Sequence, residues 1–238
     1  INHAMDLDGF KKIYFWEYFH RLLGRLVGLV FFIPFVFFLI RKKIGKKFAL
    51  KTSLAFILGG AQGFLGWYMV KSGLVIRPDV SHYRLAAHLL LAILIIAYVY
   101  WLFLAANNTK TSQQSISSCA KLCAVLLLAL IVLQITYGAF VAGLDAGIGY
   151  NTFPLMNGEW FPRAFFFLEP AWLNFLENNV SVQFIHRSLG IFIFFILNII
   201  GFWWCVYKKD IVPKNIVLPL VVIGHGQFLL GVFTLVYT

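Results

Sequence analysis

Three histidines lie in strongly apolar stretches of the sequence, and each has an arginine close by. His20 and His186 are followed directly by arginine, and Arg84 lies one helical turn before His88. A neutral imidazole offers a nitrogen lone pair to a metal ion, and an arginine offers a cation to a carboxylate. Haem iron takes one imidazole from each of two opposing helices, and haem propionates need cations nearby. These residue types therefore indicate a haem site.

A structural role is the alternative for each histidine. A single histidine in a membrane helix more often bonds to a neighbouring helix than to a metal. Three at similar depth, two of them related by an internal repeat, favour a cofactor. His225, in the middle of the last apolar stretch, is interpreted as a packing or polar-network residue, and His3 and His82 as solvated loop residues.

The elements that must position these side chains are membrane helices. Of the 238 residues, 61% are hydrophobic and only 12% are charged, too few charges to cover a soluble globule. A helix needs about 20 mostly apolar residues to cross the hydrocarbon core. The predicted fold class is an all-α polytopic membrane helical bundle. Six stretches are long enough to span: 17–40, 50–71, 83–106, 118–141, 182–206 and 215–237.

Lysine and arginine give the predicted orientation. The formal net charge is +11, and eight of the nine acidic residues lie on or near one side of the predicted bundle. The positive-inside rule makes the opposite, basic side cytoplasmic, so the three histidines lie towards the outer face. The basic excess then reports topology, and no nucleic-acid partner is predicted. The basic residues on the cytoplasmic side are Arg41, Lys42, Lys43, Lys46, Lys47, Lys51, Lys110, Lys121, Lys208, Lys209 and Lys214.

Two parts of the chain resemble each other. Residues 20–24 (HRLLG) match 186–190 (HRSLG) at a spacing of 166 positions, and 62–66 (QGFLG) match 227–231 (QFLLG) at a spacing of 165. Chance similarity between apolar helices is the alternative. Matches at nearly one spacing favour two parallel repeats related by an axis along the membrane normal.

The repeat extends the prediction beyond the chain. We expect two four-helix halves, residues 1–106 and 107–238, with one span missing at each end and six of eight present. The chain starts without an initiator methionine and stops at the end of a span, so a fragment is expected. The counterpart of His88 would be a histidine near position 253.

Charged side chains near the histidines complete the predicted site. At about 100° per residue, Glu17, His20 and Arg21 share one face of their helix. Glu17 has two interpretations: a carboxylate that holds a proton beside the site, or a helix N-terminal acid that the dipole favours. The arginines within reach of the outer boundary are Arg21, Arg25, Arg84 and Arg187.

Several long motifs resemble the haem A synthase family. They are residues 17–25 (EYFHRLLGR), 62–74 (QGFLGWYMVKSGL), 81–89 (SHYRLAAHL), 142–156 (AGLDAGIGYNTFPLM) and 183–187 (QFIHR). The match covers nearly the whole chain in family order. The predicted outer loops of this chain contain no cysteine, and in this respect the chain resembles the mitochondrial and alphaproteobacterial branch of the family.

The resemblance implies an eight-helix enzyme that oxidises the C8 methyl of haem O to a formyl group, giving haem A for terminal oxidases. It implies a substrate haem between His20 and His88, with Glu17 as the catalytic candidate. The second half would hold a haem b cofactor through His186, beside Arg187, and through a histidine of the last span. Basic residues beside the substrate haem would be Arg21, Arg25 and Arg84.

Location and partners follow from the same resemblance. We expect a protein integral to the bacterial cytoplasmic membrane or the mitochondrial inner membrane, in contact with lipid, haem O, an unidentified electron donor and haem O synthase as a candidate partner. The 40-residue connection 142–181 would cap the haem edge, with Trp160 and Phe165 among its interface aromatics.

Two other functions stay open from the residues alone. A bis-histidine b-type cytochrome would act only in electron transfer. Many such proteins place two histidines on one helix, whereas no predicted span here carries a plausible pair at matching depths. A transporter with parallel repeats would place polar or charged groups near the midplane, whereas the charged residues here lie within a few turns of the span ends.

Overall fold

The computed structural model describes residues 6–73, 80–107, 118–207 and 214–237, and these are mainly helical. Six helices are long and apolar enough to cross a membrane, which confirms the predicted fold class. A seventh helix, α5, has only four residues and lies in the connection between α4 and α6. The helices are α1 (Leu7–Ile40), α2 (Lys46–Gly73), α3 (His82–Ala106), α4 (Ser118–Gly143), α5 (Asn174–Glu177), α6 (Asn179–Tyr207) and α7 (Lys214–Val236).

Helix α1 begins well before the predicted span start at residue 17. Its N-cap is Asp6, whose side chain accepts a hydrogen bond from the Gly9 amide at 2.8 Å. Hydropathy marks the part of a helix that suits lipid, whereas a cap marks where the helix starts, and here the two differ. Some predictions concern residues outside the described part of the chain: His3, Lys110, Lys208 and Lys209.

The chain divides into two compact units, residues 1–113 and 114–238. In the first unit, α2 packs against both α1 and α3. In the second, α6 packs against both α4 and α7, and the short elements before α6 pack on its start. Each unit therefore places one central helix between two others, and the assignment of a substrate half and a cofactor half stays a prediction.

The connection from α4 to α6 is a built structure, held by buried asparagines. The fully buried Asn174 side chain donates to the carbonyls of Leu168 at 2.7 Å and Ala171 at 3.0 Å, and accepts from the Leu168 amide at 2.9 Å. Asn178 donates to Asn174 Oδ1 at 2.8 Å, and the Ser181 hydroxyl donates to a loop carbonyl. Buried backbone groups need such partners, so these side chains fix the loop path.

The loop also has an aromatic core of its own. Phe165 is 6% exposed, and its ring lies 4.8 Å from that of Phe161 and 5.5 Å from that of Phe184 on α6. The expectation that Phe165 anchors the interface is therefore wrong, because the loop folds back and buries it. Trp160 is 79% exposed, as an interface anchor would be.

Candidate functional site

In the first unit, two residues of α2 hold the ring of His88 on α3. The Gln62 side-chain nitrogen donates to the His88 main-chain carbonyl at 3.0 Å and lies 3.3 Å from ring Nε2. One turn further along α2, Gly66 faces the ring: a Cβ built there would lie 2.9 Å from Cε1 of His88. The imidazole therefore rests on the α2 backbone, at a distance that a side chain at position 66 would prevent.

In the second unit, two residues of α4 hold the ring of His186 on α6. The Gln134 side-chain nitrogen lies 3.5 Å from Nε2 of His186, and a Cβ at Gly138 would lie 3.1 Å from its Cε1. Gly190, on α6, leaves room for the glutamine, since a Cβ there would lie 3.2 Å from the Gln134 nitrogen. The two units thus hold a histidine in the same way.

Both arrangements leave the same atoms without partners. Within the described part of the chain, Nδ1 of His88 and His186 and Oε1 of Gln62 and Gln134 are buried and form no hydrogen bond. A side-chain amide nitrogen only donates, so the Nε2 atom that faces it accepts, and its lone pair points at the glutamine amide. A neutral imidazole is the form that binds a metal, and Nε2 becomes available to one when the amide moves aside.

Across residues 6–73, 80–107, 118–207 and 214–237, no three histidine, cysteine or acidic side chains come together in a metal-binding group. Haem iron needs only one or two axial ligands from the protein. His88 and His186 are both half-buried and suit that requirement.

Four further predicted site residues lie on α1. His20 is exposed and close enough to His88 for the two imidazoles to interact electrostatically. Arg21 forms an ion pair with Glu17, with 3.4 Å between Nη1 and Oε2, as the predicted common face requires. Arg25 is also exposed. The structure therefore brings His20 near His88 and leaves the charged face of α1 accessible.

Arg84 is held against α2 rather than extended. Its guanidinium lies 4.7 Å from the centre of the Tyr68 ring, in a cation–π contact. Since Arg84 precedes His88 by one turn of α3, this contact keeps a cation on the same side of the helix pair as the histidine.

Arg187 has a role that the sequence did not reveal. Its guanidinium donates to the main-chain carbonyls of Tyr150 and Thr152, the latter at 2.6 Å. Gln183, one turn earlier on α6, also donates to the Tyr150 carbonyl, at 2.9 Å, and Asn179 donates to a loop carbonyl at 3.1 Å. These three donors pin the loop along one side of α6, and propionate binding by Arg187 stays a prediction.

The remaining histidines separate into one confirmed and one wrong interpretation. Nδ1 of His225 donates to the Val221 carbonyl at 2.7 Å, and its ring lies 4.8 Å from that of Phe194, which confirms a packing role. His82 is not solvated: it is the first residue of α3 and only 6% exposed. Its ring is buried beside that of Tyr83, with 4.0 Å between the ring centres.

The glutamine contacts were also missed from the sequence. Gln62 stands out in the sequence only as part of the repeat, and Gln134 does not stand out. A signal was present, since a glutamine followed four residues later by glycine occurs on α2, α4 and α7. Those pairs are Gln62 and Gly66, Gln134 and Gly138, and Gln227 and Gly231.

Fold and site together define a class: an all-α polytopic membrane protein in which each of two units holds an oriented histidine between neighbouring helices. The chain belongs to the COX15-CtaA family of cytochrome oxidase assembly proteins, whose family model matches residues 1–238.

Several relatives carry the name "Heme A synthase". The chain is 48% identical over 236 residues to one from Wolbachia pipientis wMel, covering 99% of this chain and 65% of that protein. It is 44% identical over 237 residues to one from Parvibaculum lavamentivorans, covering 100% and 67%. It is 48% identical over 192 residues to one from Nitrosospira multiformis, covering 80% of this chain and 54% of that protein. The chain thus spans about two thirds of the length of the first of these relatives. No solved structure matches it.

Proposed function

We propose that the protein acts as a haem A synthase, which oxidises the C8 methyl of haem O to a formyl group. The observation that carries this proposal is the pair of equivalent histidines, His88 and His186. Each is a neutral imidazole inside an apolar helix pair, with Nε2 facing a glutamine amide of the neighbouring helix. The relatives named heme A synthase support the product, the oxidation of the methyl group is what the family resemblance implies, and the two histidines give a reason for two haem groups in one chain.

The first unit is assigned to the substrate. His20 and His88 would hold the iron of haem O from two helices, α1 and α3. The exposed arginines of α1 offer cations to its propionates. The cation–π contact of Arg84 with Tyr68 holds a third cation near His88.

The second unit is assigned to a haem b cofactor. His186 would provide one axial ligand, and the other would come from a histidine outside residues 1–238. When bound, haem b supplies one-electron transfer. Here the chain's own contribution is a fixed loop: Arg187 and Gln183 hold the backbone of Tyr150 beside the start of α6.

Glu17 is assigned the handling of a proton beside the substrate. It precedes His20 by nearly one turn, and its ion pair with Arg21 holds the carboxylate on that face of α1. Conversion of a methyl to a formyl group moves protons together with electrons, and a positioned carboxylate can exchange a proton at Oε2.

The protein is integral to a membrane. We place it in the bacterial cytoplasmic or mitochondrial inner membrane with its histidines towards the outer face, because basic residues cluster at the opposite ends of the helices. Its expected partners are lipid, haem O, an electron donor and haem O synthase, and no nucleic acid is expected to bind.

Pigment extraction tests the proposal. The full-length gene product is expressed in cells that make haem O but lack haem A, and the extracted haems are separated and identified. We expect haem A with the wild type and with Lys11→Ala, a control at an exposed ion pair. His20→Ala and His88→Ala should leave haem O unconverted. Wild-type protein that binds haem without forming a formyl product would instead support the electron-transfer cytochrome.

A further inference from the structure

Gln62 and Gln134 each direct a side-chain amide at the nitrogen through which a histidine would ligate iron. We propose that these glutamines compete with haem for Nε2 of His88 and His186, so that iron takes each nitrogen only when an amide leaves it. Ligation then breaks one N–H···Nε2 hydrogen bond and forms one iron–nitrogen coordinate bond. This inference rests on the proposed function, since it takes both histidines as axial ligands.

The competition follows from the lone pair of Nε2. The Gln62 side-chain nitrogen lies 3.3 Å from Nε2 of His88, and the Gln134 nitrogen lies 3.5 Å from Nε2 of His186. Because an amide nitrogen only donates, Nε2 is the acceptor in both contacts, and its in-plane lone pair is the one that a metal would need. The same arrangement occurs in two helix pairs, α2 with α3 and α4 with α6, so it does not depend on the packing of one pair.

The orientation of the Gln62 amide is fixed by a second hydrogen bond. Its nitrogen also donates to the His88 main-chain carbonyl at 3.0 Å. An amide oxygen in that place would face the carbonyl oxygen and be repelled, so the nitrogen is the atom that faces the imidazole. The carbonyl bond also keeps the amide beside the ring after it leaves Nε2, where it can return when the iron–nitrogen bond breaks.

The glycines one turn further along each helix keep the rings within reach of the amides. A Cβ built at Gly66 would lie 2.9 Å from Cε1 of His88, and one at Gly138 would lie 3.1 Å from Cε1 of His186. A side chain at either position would push the ring away from the helix that carries the glutamine. The close approach of the backbones therefore makes the amide contact possible.

The amide can leave at a modest cost. Oε1 of Gln62 and Oε1 of Gln134 are buried and form no hydrogen bond within the described part of the chain, so each amide is only partly satisfied where it is. The contact with the imidazole is one ordinary hydrogen bond, whose net worth corresponds to about 3- to 10-fold in an equilibrium constant. The glutamines therefore lower the affinity for haem without preventing its binding.

The competition has a consequence for turnover in the first unit. The haem proposed to bind there is the substrate, and its product must leave after each reaction. Since Gln62 stays bonded to the His88 carbonyl, its other N–H can take Nε2 again and oppose rebinding of the iron. We therefore expect Gln62 to speed the release of haem from His88.

Titration of the full-length membrane protein with haemin tests the competition, with the low-spin visible spectrum as the readout. Gln62→Met, measured together with His186→Ala so that only the first site binds, removes the donor at nearly constant volume. It should tighten haem binding about 3- to 10-fold. Gln134→Met, measured with His88→Ala, should tighten binding by less because its contact is longer. If the glutamines instead positioned the ring for iron, both variants would weaken binding.

Release of haemin to apomyoglobin gives a second readout, and Gln62→Met should slow it. The matched control is Asn198→Leu, since Asn198 also places an amide on a membrane helix but donates to the Phe194 carbonyl of its own helix at 2.8 Å. This control should leave haem affinity and release at the wild-type values. Should Gln62→Met fail to fold, Gln62→Asn keeps an amide that is one methylene too short to reach Nε2, and it should also tighten binding.

The outcomes separate this inference from the proposed function. Unchanged haem binding in His88→Ala and His186→Ala would overturn the ligand assignment itself. Loss of a haem in those variants, together with unchanged or weaker binding in both glutamine variants, would overturn the competition alone, as would equal tightening in Asn198→Leu. Tighter binding and slower release in Gln62→Met, with the control unchanged, would establish it.

Discussion

Arg21 and Arg187 each follow a histidine directly in the sequence, yet their side chains have different surroundings. Arg21 lies on the exposed face of α1 and pairs with Glu17 at 3.4 Å. Arg187 is half-buried and donates to two main-chain carbonyls of the loop that precedes α6. The same dipeptide therefore supplies an accessible cation in the first unit and a structural anchor in the second.

The loop accounts for this difference. In the second unit, residues 144–178 fold back onto the start of α6 and present carbonyl groups to its side chains. The charged face of α1 in the first unit has no such covering among the described residues. The two units therefore use the residue that follows the histidine in different ways.

Removal of the buried asparagine in the loop should have the largest effect on stability. Asn174→Ala leaves the Leu168 amide, two carbonyls and the Asn178 amide without their partner, at a cost of about 3 kcal/mol. Thermal unfolding of the detergent-solubilised protein and limited proteolysis of the loop would measure this. Asn151→Ala, at an exposed loop position, is the control. Equal melting temperatures for the two variants would show that the loop is not held by Asn174.

The two arginines provide the next prediction. Arg187→Ala removes the hydrogen bonds of a charged donor to the loop and should destabilise the second unit by about 2 kcal/mol. Arg21→Ala breaks only an exposed ion pair and should cost below about 1 kcal/mol. Protease sensitivity of the loop should rise in the first variant alone. An equal or larger loss of stability in Arg21→Ala would remove the contrast between the units.

His225 gives the smallest expected effect. It lies in a membrane helix, as the site histidines do, but its Nδ1 bonds to a carbonyl of its own helix. His225→Leu should cost about 1 kcal/mol or less and leave the haem content and spectrum unchanged. Loss of a haem in this variant would mean that contact with a glutamine and a glycine of the neighbouring helix does not distinguish ligand histidines from packing histidines.

Hydropathy predicted the fold class and the six spans, and both are confirmed because a lipid-facing helix must be long and apolar. A polar residue within such a helix stands out, as the three histidines do, and their role as ligands stays a prediction. The start of α1 was misplaced because capping by Asp6 is independent of hydropathy. The burial of His82 was missed for a similar reason, since it lies at a helix start that the hydropathy pattern placed one residue later.

Contacts between distant parts of the chain could not be predicted in this way. Gln134 meets His186 across 52 positions, and Arg187 meets the Thr152 carbonyl across 35. Both contacts depend on how helices pack and where a loop runs, which a periodicity within one segment does not encode. The repeated spacing of glutamine and glycine was visible in the sequence, but the histidine ring that each pair contacts was not.

The central claim is that each unit holds its own haem through its own histidine. The direct measurement is the haem-to-protein ratio and visible spectrum of the purified full-length protein, loaded with haem O, for the wild type, His88→Ala and His186→Ala. We predict that each variant loses one haem and that the lost spectra differ. Loss of the same haem in both variants, or of none in either, would contradict the claim.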